Sequence, residues 1–105
     1  MEKRRNQRFT LQLPLSITRA GRARVTVAGF TKNISSTGVL FTSDRAPELG
    51  GRIEFTITLS HGGSQPVSLR CLGKVLRSKR VLAGSECTAY QVAATLERYE
   101  FVREH

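Results

Sequence analysis

Two short runs hold the residues of this chain whose types and spacing suit chemistry. The first, Lys3-Arg4-Arg5-Asn6-Gln7-Arg8, is a basic segment in which Arg4 and Arg8 are separated by three residues and Arg5 adds charge. Arginine presents a planar, permanently charged fork of donors that fits phosphate oxygens and the acceptor edge of guanine. The second run, Asn33-Ile34-Ser35-Ser36-Thr37-Gly38, supplies an amide, a hydroxyl and a glycine in close succession. Together the two runs outline a pocket for a small, anionic ligand rich in hydrogen-bonding groups. Each polar residue also has a plainer role. Asn and Ser bond to nearby backbone in turns, and a glycine suits any turn that needs positive φ.

The elements that must position these residues read as strands. Leu11, Leu13, Leu15 and Ile17 alternate with Gln12, Pro14 and Ser16, the period-2 pattern of a half-buried strand. Pro14 places that strand at an edge or a bulge. Gly21-Arg22 turns the chain, Val25 and Val27 resume the alternation, and Gly29 suggests a bulge or bend before Phe30. Residues 39–43 form a third strand, and 44–51 a loop with Ala46-Pro47 and Gly50-Gly51. Ile53, Phe55, Ile57 and Leu59 give the cleanest alternation, followed by a Gly-rich hairpin connection over 60–66. Val67, Leu69, Cys71, Gly73 and Val75 make the next strand, with Gly73 a point of close approach. Residues 77–86 read as a basic turn, and Tyr90, Val92, Ala94 and Leu96 as the last well-patterned strand. In the tail, 97–105, Tyr99, Phe101 and Arg103 alternate as an extended continuation would, while Leu96, Tyr99, Glu100 and Arg103 would share a helical face. The extended form is the one we expect.

About six short strands with turn signals between them, and no long helix, predict an all-β fold, an antiparallel barrel or sandwich. Closing the sheet would remove its exposed edges. Phe41 and Phe55 are expected in the core, Tyr90 and Tyr99 in the core or at the rim, and most aromatics at inward positions.

The 105 residues suffice for one domain with a single core, and 39% hydrophobic with 24% charged residues is a globular balance. The net charge of +9 raises the local concentration of anions without naming one. Arg70, Lys74, Arg77, Lys79 and Arg80 form a later basic cluster, read as a solvated face in preference to a phosphate contact or a surface for an acidic partner. Cys71 and Cys87 have no metal-ligand spacing, and His61 and His105 fall in a turn and at the end, so no metal site is expected. Both thiols read as small buried hydrophobes. No membrane-length apolar run or leader is evident, so a cytoplasmic protein is expected. No nucleophile–base–acid set, carboxylate pair or phosphate-binding glycine loop before a helix is evident, and we expect no enzyme and no cofactor.

In order and spacing, Arg4-x-x-x-Arg8 followed by Asn33-x-Ser35-x-x-Gly38 resembles the PilZ domain family, whose two motifs are RxxxR and D/NxSxxG. Phe9, the Leu-Pro-Leu run at 13–15, the Pro/Gly loop before Arg52-Ile53 and Gly73-Lys74-Val75 extend the resemblance over residues 4–96. The resemblance implies a six-stranded antiparallel β-barrel over 9–105 behind a flexible basic arm, 1–8. It also implies a bacterial receptor for the second messenger cyclic di-GMP. Arg4 and Arg8 would wrap the ligand, contacting phosphates and guanine O6/N7 and stacking on purine faces, with Arg5 adding charge. Asn33 would read the guanine Watson–Crick edge and Ser35 would donate to an acceptor. Gly38 would let backbone come close, and Gly73 is counted with the same site. Occupancy would pass to a protein partner by rearrangement of the arm. Two other readings stand beside this one: a PilZ-like interaction module that does not bind the nucleotide, and a basic small barrel that binds nucleic acid. The second is disfavoured because such barrels display stacking aromatics on an open sheet face.

Overall fold

Alternation of apolar and polar residues gives the strands of this chain one inward face, and the pairing of the strands closes them into a ring. The computed structural model describes residues 12–59, 67–82 and 88–103. Seven strands follow one another: β1 Pro14–Ala20, β2 Ala23–Ile34, β3 Gly38–Ser43, β4 Arg52–Leu59, β5 Val67–Leu82, β6 Thr88–Thr95 and β7 Arg98–Arg103. β4, β1, β2, β3, β6 and β5 pair in that order, and β4 pairs back onto β5, so six strands form a closed antiparallel barrel. No helix occurs among the described residues.

The inward side chains meet in rows across the ring. Leu15, Ile57 and Leu69 face one another on β1, β4 and β5, and Ile17, Phe55 and Cys71 make the next row. Phe41 and Phe55, fully buried, bring their rings to a 6.0 Å centroid separation at the middle of the core. Burying each such ring is worth about 2–3 kcal/mol. Thr31, Ser43 and Ser68 are the buried polar residues among those described. The Thr31 hydroxyl accepts the Leu13 N–H at 2.9 Å, and the Ser43 hydroxyl donates to the Arg45 carbonyl at 2.7 Å.

Three bulges break the alternation, at Thr18 on β1, Lys32 on β2 and Leu76 on β5, where the pairing register shifts by one residue. An inserted residue puts two consecutive side chains on the same face and re-aims all that follow. Gly29 carries no bulge, contrary to the expectation. The register runs through it on both sides, Leu15↔Gly29 and Gly29↔Ser43, and a Cβ there would collide with the Thr42 carbonyl. Close approach, not a kink, is what needs glycine at this point.

The basic turn expected over 77–86 is also corrected. β5 continues through Leu82, paired with β6 from Val75↔Ala94 to Leu82↔Thr88. The tail is extended as expected. β7 pairs with the first half of β5, from Leu72↔Arg98 to Val67↔Arg103, and stands outside the ring. Its Tyr99 and Phe101 are 58% and 67% exposed, and Phe30 on β2 is 52% exposed. The expectation that most aromatics point inward is therefore wrong for these three, and Tyr99 belongs to neither core nor rim. Pro14 occupies the first position of β1, where its missing N–H costs little. Residues 60–66, Cys87 and both histidines lie outside the described residues.

Candidate functional site

The β2–β3 turn is built by Ser35. Its N–H donates to the Gly38 carbonyl at 2.9 Å, and its hydroxyl oxygen accepts the N–H groups of Thr37 and Gly38 at 3.3 and 3.2 Å. The oxygen is thus committed to the turn. What the hydroxyl can still offer outward is its proton, which has only a long 3.4 Å contact to the Gly38 carbonyl. Ser35 serves the turn first and is equipped for a ligand only as a donor.

Asn33 owes its orientation to the bulge at Lys32. Thr31 pairs with inward Phe41, whereas Asn33 pairs with Leu40, on the outer face. Its amide is half-buried and makes no hydrogen bond among the described residues. From Asn33 a single cross-strand row runs around the barrel's exterior: Asn33↔Leu40 on β3, Leu40↔Ala93 on β6, Ala93↔Arg77 on β5. The bulge at Leu76 turns Arg77 outward at the far end of that row. A second row lies beside it, Phe30↔Thr42↔Gln91↔Lys79. Leu40, Leu49, Leu76, Arg77, Lys79 and Gln91 border an open concavity of about 370 Å³ on this face. The two rows carry two amides, a hydroxyl, an aromatic ring, apolar side chains and two cations, and no carboxylate. This is the inventory that a purine phosphate asks for.

Phe30 and Leu76 were not singled out as site residues from the sequence, and Arg77 and Lys79 were named only within a basic cluster read as a solvated face in preference to a phosphate contact. The usable signal was the charge pattern itself. A strand that continues past Val75 with period 2 would bury Arg77 and Lys79, so either the strand ends or a bulge intervenes.

Gly38 and Gly73 flank one residue, Thr95, at the bend between β6 and β7. Gly38 pairs with Thr95, and a Cβ on Gly38 would stand 3.1 Å from the Ala94 carbonyl. Gly73 is buried, and a Cβ there would collide with the Thr95 carbonyl. The Lys74 N–H donates to Thr95 Oγ1 at 2.8 Å, and the Leu96 N–H donates to the Thr37 carbonyl at 2.9 Å. Packing requires glycine at Gly73, whereas at Gly38 a side chain would only crowd the Ala94 carbonyl. The last of these bonds also ties the Ser35–Gly38 turn to the start of the β7 segment.

Arg4, Arg5 and Arg8 lie outside the described residues. The route into the barrel is described from Gln12 onward. The Thr31 N–H donates to the Leu13 carbonyl at 2.9 Å, reciprocating the bond from Leu13 to the Thr31 hydroxyl. β1 runs antiparallel to β2, so the chain enters this pairing from the Asn33 end of β2.

The later basic cluster does not form one face. Arg70 is bound to Glu100 at 2.9 Å and lies 4.0 Å from Glu54, on the side of β5 that faces β4 and β7. Arg77 and Lys79 belong to the half that faces β6. Cys71 is a buried small hydrophobe, as expected, and burial pushes its thiol up to about 12.

A family model described as the PilZ domain matches residues 2–101. No curated protein and no solved structure matches the chain.

Proposed function

The chain belongs to the PilZ domain family, and on that premise we propose that it is a cytoplasmic receptor that binds cyclic di-GMP on the outer face of β2, β3, β6 and β5 and signals occupancy to a protein partner. The observation that carries this reading is the row from Asn33 to Arg77, with its neighbour from Phe30 to Lys79. Cyclic di-GMP has two guanines and two phosphates, so it needs base-edge partners, apolar or aromatic surface and fixed cations together. Asn33 reads a guanine edge, and Ser35 turns its hydroxyl proton from the long Gly38 contact to a phosphate or guanine acceptor. Phe30, Leu40 and Leu76 offer surface to a purine, while Arg77 and Lys79 hold the phosphates.

Arg4, Arg5 and Arg8 close the site from above. Arg8 precedes Leu13 by five residues, at most about 18 Å of extended chain. Since the chain reaches Leu13 from the Asn33 end, that length is enough to bring Arg8 over the site. An arm that orders on binding trades affinity for a conformational signal. That trade suits a switch that performs no chemistry.

Titration calorimetry with cyclic di-GMP, against cyclic di-AMP as the control, tests the proposal. Saturable heat with the first and little with the second is expected. No heat at high micromolar cyclic di-GMP would favour the non-binding interaction module. The nucleic-acid reading gains three exposed aromatics, but they lie in two places, Phe30 on β2 and Tyr99 with Phe101 on β7. They do not form the single stacking platform such barrels use. Salt-sensitive oligonucleotide binding that is unaffected by Arg8→Ala would revive it.

A further inference from the structure

The bulge on β1 builds a second charged face, away from the row that begins at Asn33. It leaves Thr18 and its neighbour Arg19 both exposed, and Arg19 pairs directly with Arg24 of β2, also exposed. Two cations facing each other on adjacent strands repel, and an anion placed between them would relieve that repulsion. Glu54 relieves part of it. Its carboxylate lies 3.8 Å from Arg19 and 4.0 Å from Arg70, at the limit of an ion pair in both cases. Neither contact is close enough for a hydrogen bond. Arg24 has no ion pair among the described residues, and the hydroxyls of Thr26 and Thr56 make no hydrogen bond among them. Thr18 donates to the Glu54 carbonyl at 3.2 Å.

These groups converge on one place. Arg19, Arg24, Thr26, Thr56 and Arg70 border an open concavity of about 590 Å³ between β2, β1, β4 and β5, with the Glu54 carboxylate also in its lining, on the side of Arg19 and Arg70 and away from Arg24. Arginine forks from two adjacent strands, with the hydroxyls of Thr26 and Thr56 in the same lining, can satisfy several oxygens of one tetrahedral anion at once. The space is within the range of small-molecule sites. We infer that this concavity is a second ligand site, which takes a phosphate group through Arg19, Arg24 and the threonine hydroxyls.

It is independent of the cyclic di-GMP reading. Arg24 and Asn33 are nine residues apart on β2, about 30 Å of strand. One small ligand cannot span both.

The test is a ¹H–¹⁵N NMR titration of the whole chain with inorganic phosphate at constant ionic strength, and in parallel with adenosine 5′-monophosphate. Saturable shifts are expected at the amides of Thr18, Arg19, Arg24 and Thr26, with Asn33 and Arg77 unmoved. Arg24→Ala should weaken phosphate binding by about fivefold or more and leave the rest of the spectrum intact, because Arg24 is exposed. Tighter binding of the nucleotide than of phosphate identifies an organic phosphate as the occupant, and equal binding identifies the free anion. Shifts no different from those produced by chloride overturn the inference. So do saturable shifts confined to the face of Asn33 and Arg77. Failure of the chain to bind cyclic di-GMP bears on the other site alone.

Discussion

Asn33 of β2 and Arg77 of β5 stand in one cross-strand row on the outside of the barrel, joined through Leu40 and Ala93. Each faces outward because a bulge precedes it, at Lys32 and at Leu76. Three strand spacings separate them, about 14 Å, which is a scale suited to a ring dinucleotide. Replacing Arg77 by Ala removes an exposed cation and no packing. Affinity for cyclic di-GMP should fall by about fivefold or more, and stability should stay within about 0.5 kcal/mol of wild type. Calorimetric titration and urea denaturation read the two quantities separately. Unchanged affinity would remove Arg77 from the site.

Asn33→Asp should tighten binding. Guanine N1–H and N2–H₂ are both donors, and a carboxylate accepts from both, whereas the Asn amide offers one acceptor and an NH₂ that needs another partner. A charge-assisted pair is roughly twice as strong as a neutral one, so a gain of about tenfold is expected from the same titration. Weaker binding would mean that Asn33 faces a phosphate and not a base edge.

Arg8→Ala and Arg4→Ala should each weaken cyclic di-GMP binding by about tenfold or more, as expected for loss of a bidentate charged contact. Neither should change the denaturation midpoint, because on this proposal both guanidinium groups serve the ligand and not the core. A variant that binds as wild type would withdraw that arginine from the ligand.

Most of the ring was legible because period-2 alternation is a direct consequence of one face meeting the core. Leu15, Ile17, Phe55 and Ile57 are inward in the sequence pattern and buried in the fold. The end of β5 was misread for one reason. Continued with period 2, the β5 pattern would send Arg77 and Lys79 inward, so the strand seemed to end at Val75. The bulge at Leu76 shifts the parity, sending Arg77 and Lys79 outward and turning Ser78 to face Val92. The same shift at Lys32 turns Asn33 out. Asn33 was visible as a motif residue, then, but the row that it shares with Arg77 was not. Tyr99 and Phe101 were misjudged for a different reason. They lie on the inward side of β5's neighbour, but β7 is outside the ring and nothing described covers that face.

Gly73 offers a test that separates packing from ligand contact. A Cβ at this buried position meets the Thr95 carbonyl, which belongs to backbone and cannot swing aside. Gly73→Ala should therefore destabilise the barrel by about 1–3 kcal/mol or more. Urea denaturation measures that loss. Cyclic di-GMP affinity of the folded variant should stay within about twofold of wild type. A stable variant that loses the ligand would make Gly73 a contact residue.

Cys71 gives the chain an alkaline limit. The thiol is fully buried, opposite Phe55 on β4 and Tyr99 on β7, and its S–H donates to the Leu69 carbonyl with Sγ 3.6 Å from the oxygen. Burial disfavours the thiolate and raises the folded pKa from 9.0 to about 12. Below the unfolded value both states hold the proton, and the thiol adds no pH dependence. Above it the unfolded chain releases the proton while the folded one keeps it, so stability falls with rising pH until the folded value is reached. The loss approaches 1.4 kcal/mol per pH unit and amounts to about 1 kcal/mol by about pH 10. Cys71→Val, close in volume and without a titrating group, should escape this term, while every other alkaline titration is shared. The stability difference between the two proteins, from urea denaturation at about pH 8 and about pH 10, should therefore shift toward the variant by about 1 kcal/mol. An unchanged difference would mean that the thiol ionises as readily in the folded barrel as in the open chain.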